Sequence, residues 1–78
     1  MRMFIYENKD EIDFVRPIGS ALLPDNVDIE EDICSLLKKH FKSLVGSGGI
    51  RIIDMDLDEG IIEFEGMHGH IFCASLIS

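Results

Sequence analysis

A single segment in the middle of the chain has the apolar spacing of an amphipathic α-helix. Its apolar residues recur three or four positions apart, as they do along one face of a helix. They are Ile29, Ile33, Leu36, Leu37, Phe41, Leu44 and Val45, with His40 on the same face. Asp28 and Glu31 form a capping-box pattern before this segment, and Gly46 is a typical residue just after a helix. One helix among strand-like segments predicts a small α+β fold.

Strand-like patterns lie on both sides of the helix. The predicted strands are residues 2–6, 12–18, 50–57, 61–65 and 70–77, with a turn at 7–11 and a connector at 19–27. Pro17 cannot donate a ladder hydrogen bond, so it marks a strand end or a sheet edge. The apolar phase shifts between Ile52 and Ile53, which indicates a bulge or burial on both sides. The predicted order is ββαβββ, with one helix packed on a mainly antiparallel sheet of about five strands.

Length and composition indicate one small cytoplasmic domain covering residues 1–78. The hydrophobic content of 46% is too high for a disordered chain. We find no signal-peptide pattern after Met1 and no apolar run near the roughly 20 residues that cross a bilayer. Two cysteines, Cys34 and Cys73, are too few for the disulfide framework of a small secreted domain, so we expect two buried thiols.

The charge balance excludes some classes of partner. The formal net charge is -8, which repels nucleic-acid phosphates and anionic membranes. Residues 52–78 contain six acidic residues and no Lys or Arg. We therefore expect no direct binding to nucleic acid or membrane, and favour a protein partner with a basic surface.

Carboxylates alternate with apolar residues along two neighbouring predicted strands. They are Asp54, Asp56, Asp58, Glu63 and Glu65. Residues two apart share one face of a strand, so all five are predicted on one face. Like charges opposed across strands are destabilising, so packing alone does not require this pattern. Either the carboxylates only keep a hairpin solvated, or they dock onto a basic protein surface. A hard-cation site is the third and least favoured interpretation, because the hairpin lacks the ligand spacing of a calcium loop.

Nucleic-acid mimicry is a special form of the docking interpretation. Neighbours on one strand face are about 6.6 Å apart, twice the rise per residue. Two such rows approximate the phosphates of a nucleic-acid strand, whose axial rise is about 3.4 Å.

The second sheet face has no helix to cover it. Strand parity predicts that His70, Phe72, Ala74 and Leu76 share the acidic face, with Phe4, Tyr6 and Val15 as further candidates. Carboxylates beside aromatic residues are typical of an interface, and Phe72 and Tyr6 are the predicted anchors. Two alternatives stay open: the connector around Leu22 and Leu23 covers this face, or the strand parity is reversed.

Metal and catalytic hypotheses receive less support. His68, His70 and Cys73 are close in sequence, but zinc needs three or four converging ligands, and a regular strand points His70 and Cys73 to opposite faces. Cys73 lies in an apolar strand, which makes a thiol unreactive. The sequence therefore predicts no catalytic residue, no cofactor and no metal.

The resulting functional hypothesis is a small acidic protein-binding module, not an enzyme. We expect an inhibitor of the antitoxin, immunity or phage counter-defence type, which blocks a basic site on its target; a nucleic-acid-binding site is a special case of this. The first alternative is a structural homodimer or a small subunit of a larger assembly. The second is a small enzyme or a metal-binding protein.

Overall fold

The predicted ββαβββ order is confirmed. The computed structural model describes residues 1–9 and 14–77. Their elements are β1 (Arg2–Lys9), β2 (Phe14–Leu22), α1 (Ile29–His40), β3 (Arg51–Asp56), β4 (Ile61–Glu65) and β5 (Ile71–Ile77), with single-turn 3-10 helices at Lys42–Leu44 and Met67–Gly69. The sheet order is β2-β1-β5-β4-β3, and every neighbouring pair is antiparallel. β5 is therefore the central strand, and β2 and β3 are the edges.

Both edge strands carry the irregularities that the sequence predicts. Pro17 lies in edge strand β2, opposite Tyr6, next to a shift of register in the β1–β2 pair. In edge strand β3 the register shifts between Ile52 and Asp54, which confirms the bulge at Ile53. Proline and bulges are devices that discourage another strand from adding to an edge.

The start of α1 is as predicted, but its end is not. The Asp28 side chain accepts a hydrogen bond of 3.3 Å from the backbone N–H of Glu31, which satisfies a free donor of the first turn. The helix ends at His40 and the chain turns at Phe41, so Phe41 is buried and His40 is exposed. The prediction that His40 belongs to the apolar face is wrong. Gly46 does not follow the helix directly either, because a 3-10 turn intervenes.

The strands of the N-terminal hairpin are longer than predicted. β1 extends to Lys9, so Glu7 belongs to the strand and not to the turn. β2 continues to Leu22 and includes the first part of the predicted connector, while Leu23 is buried. The rest of the predicted turn and the predicted strand start at residue 12 lie outside the described residues.

The core lies between α1 and one face of the sheet. From the helix, Ile29, Ile33 and Leu37 are buried. The sheet contributes Met3, Ile5, Ile62, Phe64, Phe72 and Ala74, and Leu23, Phe41 and Leu44 complete the cluster. The rings of Phe64 and Phe72 stack with centroids 5.5 Å apart. None of the helices in the described ranges has the length and apolarity to cross a membrane.

Adjacent isoleucines in β4 test the assignment of the two faces. Ile62 is 0% exposed and Ile61 is 41% exposed. We expect Ile62→Val to lower the free energy of unfolding by about 1 kcal/mol, because it removes a buried methyl group from a packed site. The same change at Ile61 should cost clearly less. Urea titration of both variants measures the difference, and equal losses would contradict this division of the sheet.

Candidate protein-interaction surface

The face of the sheet that points away from α1 forms a regular grid, which we call the open face. Strand alternation places every second residue there, and the register aligns those residues across the strands. One row runs Ser20, Phe4, Ser75, Ile61 and Asp56, and the next runs Pro17, Tyr6, Cys73, Glu63 and Asp54. Arg2 pairs with Ile77 at one end, and Ile71 pairs with Glu65 at the other.

Four of the five predicted carboxylates lie together on one side of the open face. This acidic side consists of Asp54, Asp56, Glu63 and Glu65, on β3 and β4. Asp54 and Glu63 are directly opposed across the strand pair, an arrangement that destabilises a sheet. Glu65 has a counter-ion, because Arg51 lies 3.4 Å away. Within the described part of the chain, Asp54, Asp56 and Glu63 form no salt bridge.

Asp56 and Asp58 have positions that the strand pattern alone does not reveal. Asp56 Oδ1 accepts a hydrogen bond of 3.1 Å from the backbone N–H of Glu59 and so holds the turn between β3 and β4. Asp58 lies inside that turn, where it lines one cleft with Asp54 and Asp56 and another with Ile29 of α1. Asp58 therefore lies beyond the end of β3, next to the acidic side but outside the strand positions that define it.

Apolar side chains occupy the middle of the open face. The apolar strip consists of Phe4 and Tyr6 on β1 and Ile71, Cys73 and Ile77 on β5, with Ser75 between Cys73 and Ile77 and with Arg2 opposite Ile77. Phe4 is 38% and Ile77 is 56% exposed, and Ile61 and Leu22 flank the strip with 41% and 68% exposure. Single exposed apolar residues are common, but a contiguous group indicates an interaction site.

The structure corrects one predicted anchor. Phe72 pairs with Phe64, is 2% exposed and lies in the core under α1. Ala74 and Leu76 lie on the same side, so the predicted parity of β5 is wrong. Tyr6 does lie on the open face, opposite Cys73 and half-buried.

Sequence reasoning missed Ile61, Ile77 and Leu22 as members of this surface. The only signal for Ile61 is that it lies two positions before Glu63 and so shares its face. The apolar connector around Leu22 and Leu23 does not cover this face, because Leu22 is itself exposed and Leu23 packs into the core.

Cys73 lies between Tyr6 and Glu63 on the open face and is buried. Burial raises the pKa of the Cys73 thiol, and the negative charge of Glu63 raises it further, while a hydrogen bond with Tyr6 acts in the opposite direction. The thiol therefore stays protonated at neutral pH, which makes it a poor nucleophile.

The histidines do not converge on a metal site in the described ranges, which hold no group of three or more His, Cys, Asp or Glu side chains suited to an ion. His70 stacks on Phe72, with centroids 6.3 Å apart, and its Nδ1 atom lies 2.7 Å from Glu7 Oε2. Glu7 is buried and also has Arg16 at 3.9 Å. This arrangement gives His70 a structural role as a partner of a buried carboxylate.

A cleft of about 400 Å³ lies between the turn at 46–49 and the turn at 66–69. Its charged and titratable side chains are Arg51, Glu65 and His68. Arg51 and Glu65 already form an ion pair, so the cleft offers less unpaired charge than the open face.

Comparison with protein-family models, with characterised proteins and with solved structures gives no match for this chain.

Alkylation of Cys73 tests the electrostatic arrangement of the open face. We expect Glu63→Gln to lower the pKa of the Cys73 thiol, because it removes a negative charge that disfavours the thiolate. Alkylation by iodoacetamide, followed by mass spectrometry of the Cys73 peptide, should then begin at a lower pH. Asp56→Asn makes the same change in charge two strands away and should leave the profile nearly unchanged. Equal shifts in both variants would show that Glu63 has no special proximity to the thiol.

Proposed function

We propose that this protein is a small acidic binding module whose open face docks onto a basic surface of another protein. The observation that carries the proposal is the directly opposed pair Asp54 and Glu63, which has no salt bridge to any described residue and lies beside exposed apolar side chains. The two carboxylates repel each other in the free protein. A Lys or Arg of a partner placed between them relieves that repulsion and gains two ion pairs.

The two halves of the open face have different tasks in this proposal. The acidic side attracts a basic partner before contact and raises the association rate. The apolar strip contributes affinity after contact, because buried aromatic residues supply much of the binding energy of interfaces. Tyr6 and Phe4 are the aromatic residues available for that task, and they replace the predicted anchor Phe72.

The biological form that we favour is a cytoplasmic inhibitor without catalytic activity or cofactor. It blocks a basic, nucleic-acid-binding site on its target, as antitoxin, immunity or phage counter-defence proteins do. The net charge of -8 supports this form, because it suits a basic site on a protein and opposes direct contact with nucleic acid or an anionic membrane.

A structural homodimer or a subunit of a larger assembly is the second candidate. The exposure of Leu22, Phe4 and Ile77 favours it, since apolar contacts dominate obligate interfaces. It predicts association that is insensitive to salt, whereas docking onto a basic partner weakens as salt rises.

Neutralising the opposed carboxylates separates binding from stability. Asp54→Asn/Glu63→Gln should weaken partner binding by roughly tenfold through the loss of two surface ion pairs. The same variant should be as stable as the wild type or more stable, because it removes a like-charge pair. Affinity capture from host extract at low and high salt, with mass spectrometry, measures the first effect, and urea titration measures the second.

A matched control for this experiment is Glu31→Gln/Asp32→Asn. It makes the same change of net charge on exposed residues of α1, away from the open face, and should retain the captured partner. If both double variants lose the partner equally, net charge rather than the open face governs binding. If neither loses it, the acidic side is only solvated and the proposal fails.

A further inference from the structure

The width of the apolar strip limits which secondary-structure element of a partner can cover it. The strip follows two adjacent strands, β1 and β5, whose axes are about 4.8 Å apart. An α-helix with its side chains is about 10–12 Å wide, so one helix laid along these strands covers the strip. A second β-sheet would also cover the acidic side and bury its opposed carboxylates.

The length of the strip also fits a short helix. Ile71, Cys73, Ser75 and Ile77 are successive open-face positions of β5, and they span three steps of two residues. That distance is about 20 Å, which corresponds to about 13 or 14 residues of helix. α1, with 12 residues, covers the other face of the same sheet. A helix of this size is therefore a suitable third layer.

Charge is distributed unequally on the two flanks of the strip. The acidic side lies along the β4–β3 flank, whereas the β2 flank presents Pro17, Ser20 and Leu22, and the exposed Arg2 of β1 reaches toward that flank with a hydrogen bond to Ser20 Oγ. A helix seated on the strip thus meets carboxylates along one of its sides only. The complementary helix has an apolar stripe with Lys or Arg residues beside it.

We propose that the element of the partner that docks on the open face is an amphipathic α-helix with a basic flank, lying along β1 and β5. This inference rests on the proposed function and specifies how the partner is bound. The apolar stripe packs on Phe4, Tyr6 and Ile77, and the basic flank faces Asp54 and Glu63.

Two other occupants are disfavoured by features of the same surface. A strand added at an edge meets Pro17 on β2 or the bulge at Ile53 on β3, and both hinder edge pairing. A second copy of this chain brings its own net charge of -8 and four further carboxylates to the face. Like charges brought together at an interface oppose association, whereas a basic helix is attracted.

The test is a titration of the isotope-labelled protein, followed by NMR, with a synthetic helical peptide. The peptide has about 14 residues, a leucine stripe and lysines on one flank. We expect saturable amide shifts centred on β1 and β5. A peptide with glutamate in place of every lysine should bind at least tenfold more weakly, because it meets the acidic side with like charge.

Two variants of the protein complete the experiment. Phe4→Ser should weaken peptide binding roughly tenfold or more, because it removes an aromatic contact from the middle of the strip. Leu57→Ser is the matched control, since Leu57 is also exposed, at 45%, but lies in the turn after β3. It should leave peptide binding unchanged. Circular dichroism of both variants shows that they are folded.

Several results would overturn the inference. They are the absence of saturable shifts, shifts confined to β3 or α1, equal binding of the two peptides, and equal losses in the two variants. Concentration-dependent shifts of β1 and β5 without peptide would assign the face to a second copy instead.

If the peptide does not bind while capture of a partner still depends on Asp54 and Glu63, the helical mode of binding is wrong and the proposed function stands. If the peptide binds as expected but capture of the partner does not depend on those carboxylates, the proposed function is wrong instead.

Discussion

One helix can bury only one face of a five-stranded sheet, and the other properties of this protein depend on that constraint. α1 places Ile33 and Leu37 against the side of the sheet that carries Phe64 and Phe72, and the core is this single layer. The opposite side is then either exposed to solvent or covered by another molecule. In this chain that side is divided, with apolar residues on β1 and β5 and carboxylates on β4 and β3.

Part of the acidic side has a purely structural explanation, and part does not. Charged residues on an edge strand discourage pairing with other chains, so Asp54 and Asp56 on β3 protect that edge. Glu63 lies on the inner strand β4, half-buried, opposite Asp54 and next to Cys73. An inner strand needs no such protection, and Glu63 adds like-charge repulsion with Asp54 and lies beside a buried thiol whose pKa it raises. Glu63 is therefore the carboxylate that edge protection does not explain and on which the docking proposal depends most.

Local signals predicted most of the fold, while the faces of β5 could not be predicted. The Asp28 cap, Pro17 at an edge and the bulge at Ile53 each depend on a few neighbouring residues, and the structure has all three. β5 is the central strand and is apolar on both sides, so alternation gives no indication of which residues face α1. Its register with β4 decides this, and that register places Phe72 in the core. The wrong parity of β5 placed the predicted anchor Phe72 on the open face. The alternation on β3 and β4 placed four of the five carboxylates on the correct face.

An exposed apolar strip makes a small protein prone to associate with itself, and the carboxylates beside it oppose that tendency. Charges separated by more than about 8 Å are largely screened at physiological salt, so only those adjacent to the strip act on a molecule in contact with it. Glu63 is adjacent to Cys73 in the register, and Asp54 is one strand further out. In the proposed function, the same few charges repel a second copy and attract a basic partner. Selectivity between two occupants of one apolar surface follows from this difference in sign, because specificity is a difference of affinities.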